Sequence, residues 1–161
     1  MRDPYFYPGT EILKNRLGIM DDRRLREAEA DYVSLNLAEL ARDDTVRIFD
    51  FNTLCQMHYR IFRDIFEWAG KPRIINIEKA ENALNGISIE YSDVFDIERD
   101  AQSVFKDMNL YGWKQASFEE TVRNFSGFMA KSLENAPLPG REHEDYCYLL
   151  RLVHRGTGHL Y

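Results

Sequence analysis

The sequence predicts an all-α fold, a helical bundle carrying one β-hairpin. Three observations lead there. Apolar residues recur at helical spacing in four separate stretches of the chain. The last of these, from Ser117, opens on a capping box and is apolar along its whole length. Only one stretch, residues 73–92, has the β-branched, period-two character of strands, with a turn signal in its middle. At 161 residues the chain has the size of one domain, and its 44% of hydrophobic residues suffices for a core. The net charge of −6 opposes binding to a phosphate backbone, so no nucleic-acid partner is expected. Two cysteines, Cys55 and Cys147, lie far apart without ligand spacing, which fits a reducing compartment. No apolar run approaches the length of a membrane span and no signal-peptide core is recognisable, so the expectation is a soluble, cytoplasmic protein without a membrane partner.

In chain order, Pro4-Tyr5-Phe6-Tyr7-Pro8-Gly9-Thr10 reads as a turn-rich aromatic arm, followed by a short helix over residues 11–16 that Gly18 ends. Asp21 and Asp22 start the next helix, which reaches about Arg42 and carries Leu25, Ala28, Tyr32, Leu35 and Leu40 on its apolar face. Arg23, Arg24 and Arg26 in its first turns read as a solvated charge run. Asp50 or Asn52 caps a helix with Phe51, Leu54, His58, Ile61, Phe62 and Ile65 on one stripe, ending at Trp68-Ala69-Gly70. A lone histidine on such a face reads as a hydrogen-bonded core residue rather than a ligand or base. Strands are expected from Arg73 to Glu78 and from Ile87 to Tyr91, turning at Leu84-Asn85-Gly86. Asp93 or Asp96 caps a further helix bearing Val94, Ile97, Ala101, Val104, Phe105 and Met108. After a loop over residues 109–116, Ser117 and Glu120 cap the helix carrying Phe118, Val122, Phe125, Met129 and Leu133. That helix should end near Ala136, because Pro137, Pro139 and Gly140 cannot continue it.

Two stretches carry a family resemblance. The arm, Asp3-Pro-Tyr-Phe-Tyr-Pro-Gly-Thr-Glu-Ile-Leu-Lys-Asn-Arg-Leu-Gly18, and His58-Tyr-Arg-Ile-Phe-Arg-Asp-Ile-Phe-Glu-Trp-Ala-Gly-Lys-Pro-Arg73 resemble the Fic/Doc (Fido) family over residues 3 to about 136. The resemblance implies a Fic-like helical bundle whose hairpin is a flap that holds a target segment in extended form. The flap residues it points to are Ile75, Asn76, Ile77, Glu78, Leu84, Ile87, Ser88 and Ile89. It also implies transfer of AMP from ATP to a Ser, Thr or Tyr hydroxyl of a target protein. In that chemistry a histidine is the general base, a Gly-Asn loop cradles the phosphates, an acidic residue holds Mg²⁺ and an arginine neutralises charge. The family writes these residues as H-P-F-x-[D/E]-G-N-x-R directly after the central helix.

This chain does not contain that motif. Pro137 stands where the histidine is expected, and Leu138, Pro139, Gly140 and Arg141 follow, so no catalytic residue carries over. The sequence therefore divides into residues 1–136, the N-terminal part of a Fic domain, and residues 137–161, an aberrant tail in place of the catalytic loop and closing helix. The fold is accordingly expected to be truncated at its C-terminus. ATP and Mg²⁺ belong to the intact family, and this chain is expected to bind neither and to be inactive. The rival reading is a Fic-fold pseudoenzyme that holds a partner protein with its flap and aromatic arm. A third reading, a metal site at His143 and Cys147, has only two good ligands and yields to a solvated acidic helix start. No inhibitory [S/T]-x-x-x-E-[G/N] segment occurs, so an intact relative would be silenced by a separate small antitoxin or a segment outside this chain.

The tail also reads as the motif in a shifted frame. With allowed codons for residues 136–146, reading from the second base of the Ala136 codon gives His-Pro-Phe-Arg-Glu-Gly-Asn-(Thr or Met)-Arg-(Thr or Ile).

Overall fold

A computed structural model of the chain describes residues 3–42, 50–76, 78–80 and 88–135. Four helices and one pair of strands follow in order: α1 (Asp22–Leu40), α2 (Phe51–Phe62), β1 (Glu78–Ala80), β2 (Ser88–Glu90), α3 (Ile97–Leu110) and α4 (Phe118–Asn135). Short polar side chains set three of the helix starts. Asp21 accepts from the Arg24 amide at 2.8 Å, and Asp50 from the Thr53 amide at 2.6 Å. The predicted capping box is formed, with Ser117 N–H donating to Glu120 at 2.8 Å and Glu120 N–H to the Ser117 hydroxyl at 3.3 Å. The Ser117 N–H and hydroxyl, both donating to it, hold the Glu120 carboxyl below its ordinary range. Asp96 precedes α3 without a side-chain cap, whereas Asp93 accepts from the Phe95 amide at 3.0 Å.

Helix α2 lies between α1 and α3, and α4 packs on α3. The α2 stripe of Phe51, Leu54, His58, Ile61 and Phe62 is buried as predicted, with Met57 added. So is the α3 stripe of Ile97, Ala101, Val104, Phe105 and Met108. Phe125 and Phe128 of α4 are half-buried against this core, and with Tyr111 and Trp113 they form an aromatic cluster at the α3–α4 end. Among the described residues α2 and α3 thus each pack between two other helices.

Four local readings are corrected. Residues 11–16 are not helical: Tyr7 N–H donates to the Ile12 carbonyl at 2.9 Å and Lys14 N–H to the Tyr5 carbonyl at 2.8 Å, pairing Phe6 with Leu13. A six-residue helix has little stability of its own, and here the backbone groups are satisfied across the turn instead. On α1 the buried residues are Leu25, Glu29, Val33, Asn36 and Leu40, while Leu35 is 67% exposed. The face is displaced by about one residue because Asn36 has partners in the core, donating to the Ile61 carbonyl at 2.8 Å and to Asp64 at 3.0 Å. The arginines of its first turns are exposed, Arg23 pairing with Glu27 and Arg26 with Asp22.

Third, α2 ends at Phe62 rather than at Gly70, and the chain continues in successive turns closed by Phe66 N–H to the Phe62 carbonyl and Lys71 N–H to the Trp68 carbonyl. A continuous helix would put residue 70 about 18 Å along the axis from residue 58. The turns bring it back, so that Gly70 N–H donates to His58 Nδ1 at 2.8 Å. Finally, the first strand begins at Glu78, where the sequence reading ended it, because residues 73–76 are engaged by side chains rather than by a ladder. The turn at residues 84–86, the end of α4 at Ala136 and the tail of residues 137–161, with Pro137, His143 and Cys147, lie outside the described residues.

Candidate functional site: the hairpin and its root

The hairpin stands on a buried aromatic platform built by the turns after α2. Phe66 stacks on Trp68 with ring centroids 4.3 Å apart, and His58 lies against Phe62 at 4.7 Å. His58 is 1% exposed, and burial pulls its pKa from the ordinary 6.5 down to about 3. It is a neutral imidazole, and because Nδ1 accepts from Gly70 its proton sits on Nε2. Among the described residues neither His58 Nε2 nor Trp68 Nε1 has a hydrogen-bond partner. A histidine so placed is packing, not a base exposed to a substrate. Gly70 closes the platform with φ +74°, and a Cβ there would lie 2.6 Å from Tyr59 Cβ and 2.7 Å from the Cys55 carbonyl. Burial, with Glu98 and Asp50 nearby, pushes the Cys55 thiol up to about 11.

Above the platform the arm meets the hairpin. Ile74 N–H donates to the Tyr5 hydroxyl at 3.0 Å, and the Tyr5 ring stands edge-on to Trp68. Burial raises the Tyr5 pKa against the opposing hydrogen bond from Ile74. Arg73, buried, donates to the Ile75 carbonyl at 2.8 Å and to the Ser92 carbonyl. Asn76 donates to Asp93 Oδ2 at 2.8 Å and accepts from Val94 N–H at 2.7 Å. The Phe95 amide and Asn76 together hold the Asp93 carboxyl below its ordinary range. Beyond this root the strands pair antiparallel, Glu78 across from Glu90, Lys79 from Ile89 and Ala80 from Ser88.

Of the eight predicted flap residues, Glu78, Ser88 and Ile89 thus fall in the ladder. Ile75 is half-buried at the root, and Asn76 is exposed but engaged by Asp93 and Val94. Ile77, Leu84 and Ile87 lie outside the described residues. Sequence reasoning missed Arg73, Tyr5 and Asp93 as parts of the root. No periodicity marks them, and only an arginine beside a β-rich run hinted at a buried cation. Among the described residues no three His, Cys, Asp or Glu side chains are grouped to hold a metal ion, and no helix is long and apolar enough to cross a membrane.

No protein-family model matches the chain. It is 35% identical over 144 residues to the probable protein adenylyltransferase y4lH of Sinorhizobium fredii, covering 88% of this chain and 69% of that protein. To the probable protein adenylyltransferase Fic of Salmonella typhimurium it is 30% identical over 112 residues, 70% of this chain, and it spans little more than half (52%) of that protein's length. The fold superposes on the BepC protein of Bartonella tribocorum, solved with bound AMPPNP, with a TM-score of 0.77 at 19% identity, covering 96% of this chain and 77% of the other.

Proposed function

This chain belongs to the Fic family of protein adenylyltransferases, and from that premise we propose that it derives from an enzyme transferring AMP from ATP to a Ser, Thr or Tyr hydroxyl of a target protein, and that it is itself inactive. The observation that carries the lineage is the 35% identity to a probable adenylyltransferase along 144 residues. The inactivity rests on the sequence after α4: Pro137 stands in place of the motif histidine, and no Gly-Asn-x-Arg follows. Residues 1–136 are then the N-terminal part of a Fic domain, and residues 137–161 stand where the catalytic loop would be.

The reading that this chain holds neither ATP nor Mg²⁺ rests on its sequence: residues 137–161 lack the phosphate-cradling glycine and asparagine pair. No catalytic step is therefore assigned. The hairpin, with Ile75, Glu78, Ser88 and Ile89 and the undescribed Ile77, Leu84 and Ile87, is the part that would dock an extended target segment by strand addition.

A second reading, a binding module without catalysis, is supported by exposed apolar side chains beside the hairpin root: Phe95, in the turn before α3, is 93% and Ile74 69% exposed. Labelled ATP distinguishes the two. Purified protein of this sequence should incorporate no AMP into itself or into lysate proteins, since loss of a general base alone costs ~10²–10⁴-fold. A compensating single-base change near codon 136 should restore both the motif and the labelling. Incorporation by the unaltered chain would refute the inactivity, and coding bases at 136–146 that cannot be read as the motif would refute the shifted frame.

A further inference from the structure

The hairpin ladder spans only Glu78–Ala80 against Ser88–Glu90, and two strands of that length do not hold a position by themselves. The root supplies what the ladder lacks. Two side chains of the outgoing leg cross to the returning leg, from different depths. Arg73 does so from inside: 2% exposed, it ties the Ile75 carbonyl at 2.8 Å to the Ser92 carbonyl through one planar guanidinium. Asn76 does so from the surface, with its amide on Asp93 at 2.8 Å and its oxygen on the Val94 amide at 2.7 Å. Asp93 is fixed in turn by the Phe95 amide at 3.0 Å, at the entry to α3. On the other side, Ile74 N–H is held by the Tyr5 hydroxyl at 3.0 Å, which sits against Trp68 of the platform.

We propose that Arg73 and Asn76 are positioning residues, a two-point clamp that fixes the angle at which the hairpin leaves the helical body. Asn76 is then not a target contact: its donor and acceptor groups are both turned to residues 93 and 94. The clamp acts within the chain and needs no target, and its bearing on a target segment rests on the flap reading given under the proposed function. An arginine is needed at position 73 because its planar fork reaches two carbonyls at once, which a lysine ammonium on its flexible stem does not reproduce.

Amide hydrogen exchange on the full chain tests it without any target. In Asn76→Ala, exposed and free of core packing, exchange at residues 78–80 and 88–90 should accelerate ~10-fold, as expected for two hydrogen bonds lost from a locally opening unit. Amides of α2 and the melting temperature should stay as in the parent. Arg73→Lys should accelerate the same amides at least as much. Unchanged exchange in the hairpin of Asn76→Ala, or acceleration spread equally over α2, would overturn the clamp. Failure of the flap reading shows up differently, as absence of strand addition by extended peptides to a hairpin whose exchange still depends on Asn76.

Discussion

Replacing Gly70 by alanine should be among the most damaging single-methyl additions the described residues allow. The backbone there has φ +74°, and a Cβ would meet Tyr59 Cβ at 2.6 Å and the Cys55 carbonyl oxygen at 2.7 Å. Both are atoms of the α2 frame, not the far ends of flexible side chains, so the turn must move rather than a rotamer. The left-handed conformation alone costs an L-residue ~1–2 kcal/mol, and overpacking against a fixed neighbour a further ~1–3 kcal/mol. Moving the turn also stretches the bond from Gly70 N–H to His58 Nδ1, 2.8 Å long and buried on the histidine side. A loss of about 3–5 kcal/mol is therefore expected, a large part of a typical domain's stability. The melting temperature should fall by roughly 10 °C. Urea unfolding followed by circular dichroism measures it, with two controls. Gly9 has φ +78° in open space and should show only the conformational strain. Gly127 lies within α4 with nothing near its Cβ position, so Gly127→Ala should gain up to about 1 kcal/mol. If Gly70→Ala costs no more than Gly9→Ala, the close approach to Tyr59 and Cys55 is not what the site depends on.

The remaining predictions concern ionisation on the platform. His58 binds its proton at about 3 in the folded chain against an ordinary 6.5, so between those values the unfolded chain holds the extra proton and stability falls as the pH falls. The contribution is complete above pH 6.5, and the loss below it should run at ~1.4 kcal/mol per pH unit; urea midpoints at pH 7 and 5 should differ more in the parent than in His58→Gln, and equal differences would contradict the buried neutral state. Cys55, with its thiol raised to about 11, should react with iodoacetamide at neutral pH ~100-fold more slowly in the folded chain than in urea. Peptide mass spectrometry of the residue-55 fragment reads this, and equal rates would refute its shielding.

What the sequence made legible followed from local chemistry. Asp21, Asp50 and the Ser117–Glu120 pair cap helices because a short side-chain acceptor before an apolar stripe has few other uses. The α3 stripe from Ile97 to Met108 is legible because all its members are apolar, whereas Val94, expected on it, lies in the turn before the helix. Reading failed where polar groups do the packing. Asn36 takes a core position on α1 because the Ile61 carbonyl needs a donor, and no hydropathy pattern reports that. The early end of α2 depends on Gly70 returning to His58, a contact across twelve residues whose glycine and histidine were each noticed but not connected. The hairpin root was misread as strand because Ile74 and Ile75 have strand composition, while their backbone partners are Tyr5 and Arg73.

These contacts also explain why the family is recognisable from residues that carry no catalytic role. The stretch from His58 to Arg73, the most characteristic in the sequence, contributes no exposed catalytic group in this structure. His58 accepts from Gly70, Trp68 stacks on Phe66 and meets Tyr5 of the arm, and Arg73 joins the legs of the hairpin. Its composition is constrained by how α2, the arm and the hairpin fit together, which is a requirement of the scaffold whatever chemistry the scaffold carries. Similarity over this region therefore measures whether the platform and hairpin are kept. On the proposed function, the reaction depends on a different stretch, from residue 137 on, and a shift of reading frame there would leave every platform contact intact. The codons of residues 136–146 and an ATP-labelling assay thus test something that likeness to adenylyltransferases does not, and a chain can satisfy one and fail the other.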